Sequence, residues 1–242
     1  MTSLEVRELD AGYGSLQVIW GVSLVVGRGE VAVILGPNGA GKSTLLAAIA
    51  GDIRSIGGRV LVDGVDVSHY GAANRLRSGL AWVPEGRNVF LHLSVRDNLR
   101  MSAKMAGTLA QMSESEALIF DLFPAMFEKR ESIAGTLSGG QQQILAISRA
   151  LARRPNICLL DEPTVGLSPE IVSRLQGAIA ATKREGVSWM VSEQSVGWLV
   201  GITDSTYVLQ GGRIVASGGP EVLASREAVW GAFFEQAREG GK

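Results

Sequence analysis

The sequence predicts an α/β domain whose sheet is mainly parallel. Two observations lead there. Short apolar runs of strand length recur along the chain, with helical patterns between them. One strand-to-helix junction, Gly36-Pro37-Asn38-Gly39-Ala40-Gly41-Lys42-Ser43, also has the glycine spacing of a phosphate-binding loop. The length, 242 residues, is enough to bury a sizeable core without disulfides or metals.

In chain order, residues 3–26 read as antiparallel strands with turn residues at Ala11-Gly12-Tyr13-Gly14. Val31–Leu35 is a continuous apolar run, as expected of a strand covered on both faces. Lys42–Ala50 follows as a helix, and Val60-Leu61-Val62-Asp63-Gly64 ends in an Asp-Gly turn signal. Leu80–Val83 is a shorter strand candidate. The stretch from about 94 to 153 has helical periodicity and no strand pattern. It opens at Ser94-Val95-Arg96-Asp97, which resembles a capped helix start, and places Leu118, Ile119, Leu122 and Phe123 at core-like spacing. Ile157–Leu160, Val187–Val191 and Tyr207–Leu209 read as further strands. Pro169–Lys183 reads as a helix, with proline suited to its first turn. The tail, Arg238–Lys242, is expected to fray. The chain is thus expected to be one domain, with 1–85 and 155–242 forming the core and its β subdomain and 86–154 a helical insertion.

Composition narrows the function. Lys and Arg total 23 against 24 Asp and Glu, so the net charge is -1 and the basic excess of a general nucleic-acid binder is missing. No stretch approaches the roughly 18 to 20 consecutive apolar residues of a spanning helix, and the first residues are too charged for a secretory leader. The single cysteine, Cys158, lies inside an apolar strand run and reads as a small buried hydrophobe. A cytoplasmic location is expected. A mean hydropathy of +0.19 and 31 glycines suggest tight backbone loops and surface held against partners.

The phosphate loop carries the chemistry. Its glycines let backbone N–H groups wrap phosphate oxygens, and the helix that follows adds the positive end of its dipole. Lys42 is expected to neutralise phosphate charge, Ser43 to hold Mg²⁺ through its hydroxyl, and Thr44 to add a phosphate contact. Further on, an apolar strand ends in Asp161-Glu162. Behind a phosphate loop, Asp161 is placed to ligate Mg²⁺ and Glu162 to orient or deprotonate an attacking water. Such a pair on its own would more simply cap a turn.

Leu137-Ser138-Gly139-Gly140-Gln141 precedes the helical run Gln142–Ala152. Locally it is a Ser-x-x-Gln helix cap, and its two glycines expose N–H groups to an approaching anion. Lying between a phosphate loop and an acidic strand, this pentapeptide resembles the signature of the ATP-binding-cassette (ABC) ATPases, and the resemblance extends over roughly residues 3–236. It implies a P-loop NTPase (RecA-like) core with an N-terminal antiparallel β subdomain and an inserted α-helical subdomain. It implies ATP and Mg²⁺ as cofactors. It also implies a dimer in which Ser138, Gly139, Gly140 and Gln141 of one subunit close over ATP held by residues 36–44 of the other. Tyr13 matches the aromatic that stacks on adenine, and Val165–Pro169 the loop that signals across the dimer. Two positions depart from the common pattern. Glu85, in Trp82-Val83-Pro84-Glu85-Gly86-Arg87, stands where most members carry glutamine: it is a candidate contact to ATP, metal or a membrane partner, or a solvated acid. Gln194, in Val191-Ser192-Glu193-Gln194, stands where most carry a switch histidine. It is expected to position reacting groups without supplying charge.

The segments Val83–Phe90, Gly51–Arg54, Ala134–Leu137 and Glu193-Gln194 look like the ATPase subunits of branched-chain amino acid importers. That branch implies separate membrane permease subunits, a second ATPase subunit (identical or a sister), an indirect extracytoplasmic solute-binding protein, no nucleic acid, and a peripheral place on the inner face of the cell membrane. The permeases would dock between core and insertion near residues 85–100, where Phe90, Leu91 and Leu93 are equally candidates for contact or for core packing. ATPases of amide, urea, lipid or lipopolysaccharide transporters share much of the pattern. Soluble ABC ATPases of DNA repair or translation usually carry a long coiled-coil insertion or two cassettes, and neither is present. A generic P-loop kinase or GTPase is disfavoured by the signature and by the absence of an Asn-Lys-x-Asp motif.

Overall fold

The computed structural model describes residues 2–86, 88–104, 109–195 and 197–224. The strands are β1 (Thr2–Tyr13), β2 (Leu16–Gly27), β3 (Val31–Leu35), β4 (Ser55–Val62), β5 (Val65–Asp66), β6 (Leu80–Val83), β7 (Ile157–Asp161), β8 (Ser188–Glu193), β9 (Ser205–Gln210) and β10 (Arg213–Gly218). The helices are α1 (Lys42–Ala50), α2 (Ala72–Arg77), α3 (Val95–Lys104), α4 (Leu109–Leu122), α5 (Pro124–Glu128), α6 (Gly139–Leu151), α7 (Pro169–Arg184) and α8 (Glu221–Ala224).

Two sheets form. One is antiparallel, in the order β2-β1-β4-β5. The other runs β10-β9-β3-β8-β7-β6, parallel throughout except for the edge strand β10. The continuous apolar runs follow from this second sheet being covered on both faces. Side chains alternate along a strand, so Val31, Val33 and Leu35 join one core with α3, α4, α6 and α7. Ala32 and Ile34 join the other core, with α1 and the inward faces of β1, β2 and β4. The helix α1 is buried on nearly all sides because it lies between the two sheets.

β1 shows how one strand keeps its apolar face inward past an irregularity. Val6 and Leu9 are both buried although three residues apart, an odd offset that a regular strand would split between its faces. The register slips between them, and Glu8 takes a φ of +50° there, a bulge that returns Leu9 to the core.

Several elements begin or end away from their apolar runs. The first hairpin turns at Gly14-Ser15, not Ala11–Gly14, because Gly12 pairs with Gln17 and Tyr13 with Leu16. β7 and β8 run past their apolar stretches into Asp161, Ser192 and Glu193; the ladder continues where the side chains turn polar. β10, whose residues alternate between exposed and half-buried, and the six-residue α2 carry no long apolar run or long helical period in the sequence. Between β6 and β7 the described residues form helices joined by loops, with no strand and one isolated bridge, Ser94 to Ile133. The Asp97 N–H donates to Ser94 Oγ at 3.0 Å, capping α3 as its sequence suggests. Ile119 and Phe123 are buried, with Leu122 packed against them and Leu118 half-buried. Cys158 is buried in the sheet, and burial pushes its thiol pKa up, as fits an inert hydrophobe. Arg238–Lys242 and Arg87 lie outside the described residues.

Candidate functional site

Strand order brings the chemistry together. β8 lies between β3 and β7, with Leu35 paired to Glu193 and Asp161 to Ser192. Three segments therefore leave the same carboxyl edge of the sheet: the phosphate loop, Asp161-Glu162, and Ser192–Gln194. That edge is where open α/β sheets bind ligands.

The loop's shape depends on its glycines. A Cβ on Gly36 would lie 2.4 Å from the Leu209 carbonyl oxygen, a backbone atom that cannot step aside. Gly39 and Gly41 have φ of +79° and +103°, and the Ala40 N–H closes the turn onto Pro37 O at 3.1 Å. Pro37, Asn38, Gly39 and Ser43 are exposed, whereas Ala40, Lys42 and Thr44 are buried. Lys42 opens α1, whose first-turn N–H groups have no partner within the helix and face the loop.

Lys42 uses its ammonium fully. Nζ donates to Gly36 O at 2.8 Å and Pro37 O at 3.2 Å, and pairs with Glu162 Oε1 at 2.9 Å. Those three acceptors match the three protons of the group. The other oxygen of Glu162, Oε2, accepts from Gln194 Nε2 at 2.8 Å. The structure thus joins Lys42, Glu162 and Gln194 in one chain of contacts. Glu162 takes a φ of +42°, in the left-handed region that non-glycine residues rarely occupy. Its N–H donates to both Ser192 O and Ser192 Oγ, each at 3.1 Å, which holds it there.

Sequence reasoning missed Ser192, Glu193, Thr164 and Trp198. Ser192 Oγ donates to Asp161 Oδ1 at 2.6 Å, orienting that buried carboxylate. Glu193, 3% exposed, accepts from Thr164 Oγ1 at 2.6 Å and Trp198 Nε1 at 3.2 Å. Burial pushes the Glu193 pKa up, and those donors together with the Gln194 N–H pull against it. The only hint in the sequence was Glu193-Gln194 at a strand end, and nothing there pointed to Thr164 or Trp198 as partners.

Among the described residues no group of three or more His, Cys, Asp or Glu is arranged to hold a metal ion by itself. A metal here would draw on oxygen donors, the Ser43 hydroxyl and the Asp161 carboxylate, with the rest from phosphate and water. That set suits a hard cation such as Mg²⁺.

The signature forms a helix N-terminus. Ser138 Oγ accepts from the Gln141 N–H at 3.4 Å and Gln141 Oε1 from the Ser138 N–H at 3.1 Å, so the capping box is closed. Gly139 opens α6. Gly140 packs against α7: a Cβ there would come within 2.6 Å of Ile171 Cδ1. Among the described residues, two expected residues make no hydrogen bond or ion pair with the phosphate loop. Tyr13, half exposed, lines an open depression with residues 53–56. Glu85 is exposed in the bend after β6, and among the described residues no hydrogen bond or ion pair ties it to the loop.

Comparison with known proteins agrees with this architecture. The family model for the ABC transporter matches residues 19–165. The chain is 37% identical over 231 residues to the high-affinity branched-chain amino acid transport ATP-binding protein BraG of Pseudomonas aeruginosa, covering 96% of this chain and 99% of that one. It is 31% identical to the lipopolysaccharide export system ATP-binding protein LptB of Haemophilus influenzae, covering 95% of each. Among solved structures, an ATP binding subunit of an ABC transporter superposes with a TM-score of 0.83 at 27% identity, over 99% of both chains. An ATP-binding cassette in its ADP conformation gives 0.82 at 25%, over 97% of this chain and 99% of that one. The chain belongs to the ABC transporter family, as one of its ATP-binding and ATP-hydrolysing subunits.

Proposed function

We propose that this subunit energises an importer of branched-chain amino acids. The observation that carries the solute class is the 37% identity to BraG over nearly the full length of both chains, against 31% to LptB. Glu193-Gln194 and the segment around Glu85 point the same way. In this reading the subunit sits on the cytoplasmic face of the membrane. It works with permease subunits, a second ATPase copy or sister, and a solute-binding protein outside the cytoplasm. No helix among the described residues is long and apolar enough to cross a membrane, so the path for the solute belongs to the permeases. They would dock in the groove of about 280 Å³ lined by Trp82, Phe90 and Arg149. Phe90 and Leu91 are nearly half exposed beside it. The test is uptake of labelled leucine by cells with and without this chain. Unchanged uptake on its loss, or loss of a lipid-export activity instead, overturns the importer reading.

In the same reading, residues 36–44 hold the ATP phosphates and Ser43 and Asp161 hold Mg²⁺. Tyr13 stacks on adenine, Glu162 activates water, and Gln194 holds Glu162. Ser138–Gln141 complete the site of the facing subunit. Ser138→Arg is expected to leave ATP affinity within about threefold, since the signature contacts the partner's nucleotide, while abolishing ATP-dependent dimerisation; titration with a fluorescent ATP analogue and light scattering read the two effects. Gln194 cannot become cationic. The pH–rate profile of the assembled transporter is therefore expected to lack a residue-194 ionisation near pH 6.5, and Gln194→His to introduce one.

A further inference from the structure

Three consecutive residues, the last two of β8 and the one after it, each hold a different part of the end of β7 and the segment that follows it. Ser192 holds Asp161 and the Glu162 N–H, and Gln194 holds the Glu162 carboxylate. Between them, a single oxygen of Glu193 accepts from Thr164, two residues past Glu162, and from Trp198, four residues past Gln194. Among the described residues no Lys, Arg or His pairs with this buried carboxylate. Burying a carboxylate without a cation is unfavourable, and a strand end that needed only packing would be served by an apolar side chain. What the carboxylate adds is two acceptor directions aimed at two separate segments.

We propose that Glu193 is a positioning residue for ATP hydrolysis, a buried clasp that fixes the Glu162–Leu167 turn against the segment carrying Gln194. The turn is short: the Val165 N–H donates to Glu162 O at 3.4 Å and the Leu167 N–H to Thr164 O at 3.1 Å. Moving Thr164 therefore moves Glu162, whose left-handed backbone persists only while its surroundings impose it. The Glu162–Gln194 contact needs both sides held, because Gln194 is exposed and has little packing of its own. This role presupposes that Glu162 and Gln194 act in hydrolysis as proposed above.

The test is steady-state ATP hydrolysis by the full chain co-purified with its membrane partners, with the melting temperature of each variant measured alongside. A displacement of the attacking geometry lowers turnover more than binding, so Glu193→Ala is expected to lower kcat by about tenfold or more with KM within about threefold. Glu193→Gln keeps an acceptor oxygen and is expected to retain at least about a third of wild-type kcat. Thr164→Val and Trp198→Phe each remove one donor and are expected to lower kcat by about threefold or more, again without raising KM. If Glu193→Ala does not fold, these two decide. Wild-type kcat in Glu193→Ala or in both donor variants, a loss expressed in KM alone, or a Glu193→Gln as impaired as the alanine variant overturns the clasp. Glu162→Gln is the control. If it hydrolyses ATP at the wild-type rate, the reading of the site itself fails. If it stalls while Glu193→Ala does not, only the clasp fails.

Discussion

Lys42→Ala is expected to weaken ATP binding by about a hundredfold or more, equivalent to about 2.7 kcal/mol. The magnitude follows from what the side chain can offer. Charge-assisted hydrogen bonds to phosphate oxygens contribute about 1.5–3 kcal/mol each, and a buried ammonium is less screened by salt than an exposed one. Lys42 is 4% exposed and is held over its own loop by Gly36 O and Pro37 O, so its position costs little further ordering when phosphate arrives. A phosphate oxygen that takes one of its protons displaces Glu162 or a carbonyl, and the substitution removes that exchange altogether. It also leaves the Glu162 carboxylate, 11% exposed, without its cation. A modest fall in melting temperature is therefore expected beside the loss of binding. Isothermal titration with Mg-ATP, paired with thermal melting, separates the two. An affinity within tenfold of wild type in a folded variant would contradict the assignment of Lys42 to the phosphates.

The halves of this site differ in how far they can be read from sequence. The phosphate loop is local: residues 36–43 contain their own turn chemistry, and the structure closes it with contacts such as Ala40 N–H to Pro37 O. The same holds for the Ser138–Gln141 cap, a four-residue device written in consecutive letters. The strands covered on both faces were legible because burial on both sides leaves an unbroken apolar run. Strand order is not local. Alternating runs imply a parallel sheet, but nothing in Val187–Glu193 says that β8 lies between β3 and β7. That placement is what sets Ser192 on Asp161 and Glu193 on Thr164. These bonds link residues about thirty apart in the chain, at distances only the folded sheet sets. The left-handed backbone of Glu162 was hidden for the same reason, since glutamate carries no signal for it. The turn at Gly14-Ser15 was misplaced because Gly12 looks like a turn residue. In fact its missing side chain serves a close strand pairing: a Cβ there would sit 2.0 Å from Leu16 O.

Glu162→Gln is expected to slow hydrolysis by about a hundredfold to ten-thousandfold, the range lost when a general base is removed, while binding ATP at least as tightly as wild type. The two effects have separate origins in the same side chain. An amide cannot accept the proton of an attacking water, so the chemical step stalls. The amide also carries no charge, so the pairing between residue 162 and Lys42, now at 2.9 Å, weakens. A phosphate then no longer competes with an anion for that ammonium, and the carboxylate's repulsion of the triphosphate is gone as well. Bound but uncleaved ATP should then hold two subunits together, so the variant is expected to run as a dimer in Mg-ATP and as a monomer without nucleotide. Size-exclusion chromatography with light scattering, alongside single-turnover hydrolysis, checks both parts. A variant that stalls, saturates with ATP and stays monomeric would mean that a partner other than a second copy completes the site. A variant that hydrolyses normally would remove Glu162 from the chemistry and leave its contacts to Lys42 and Gln194 as structure alone.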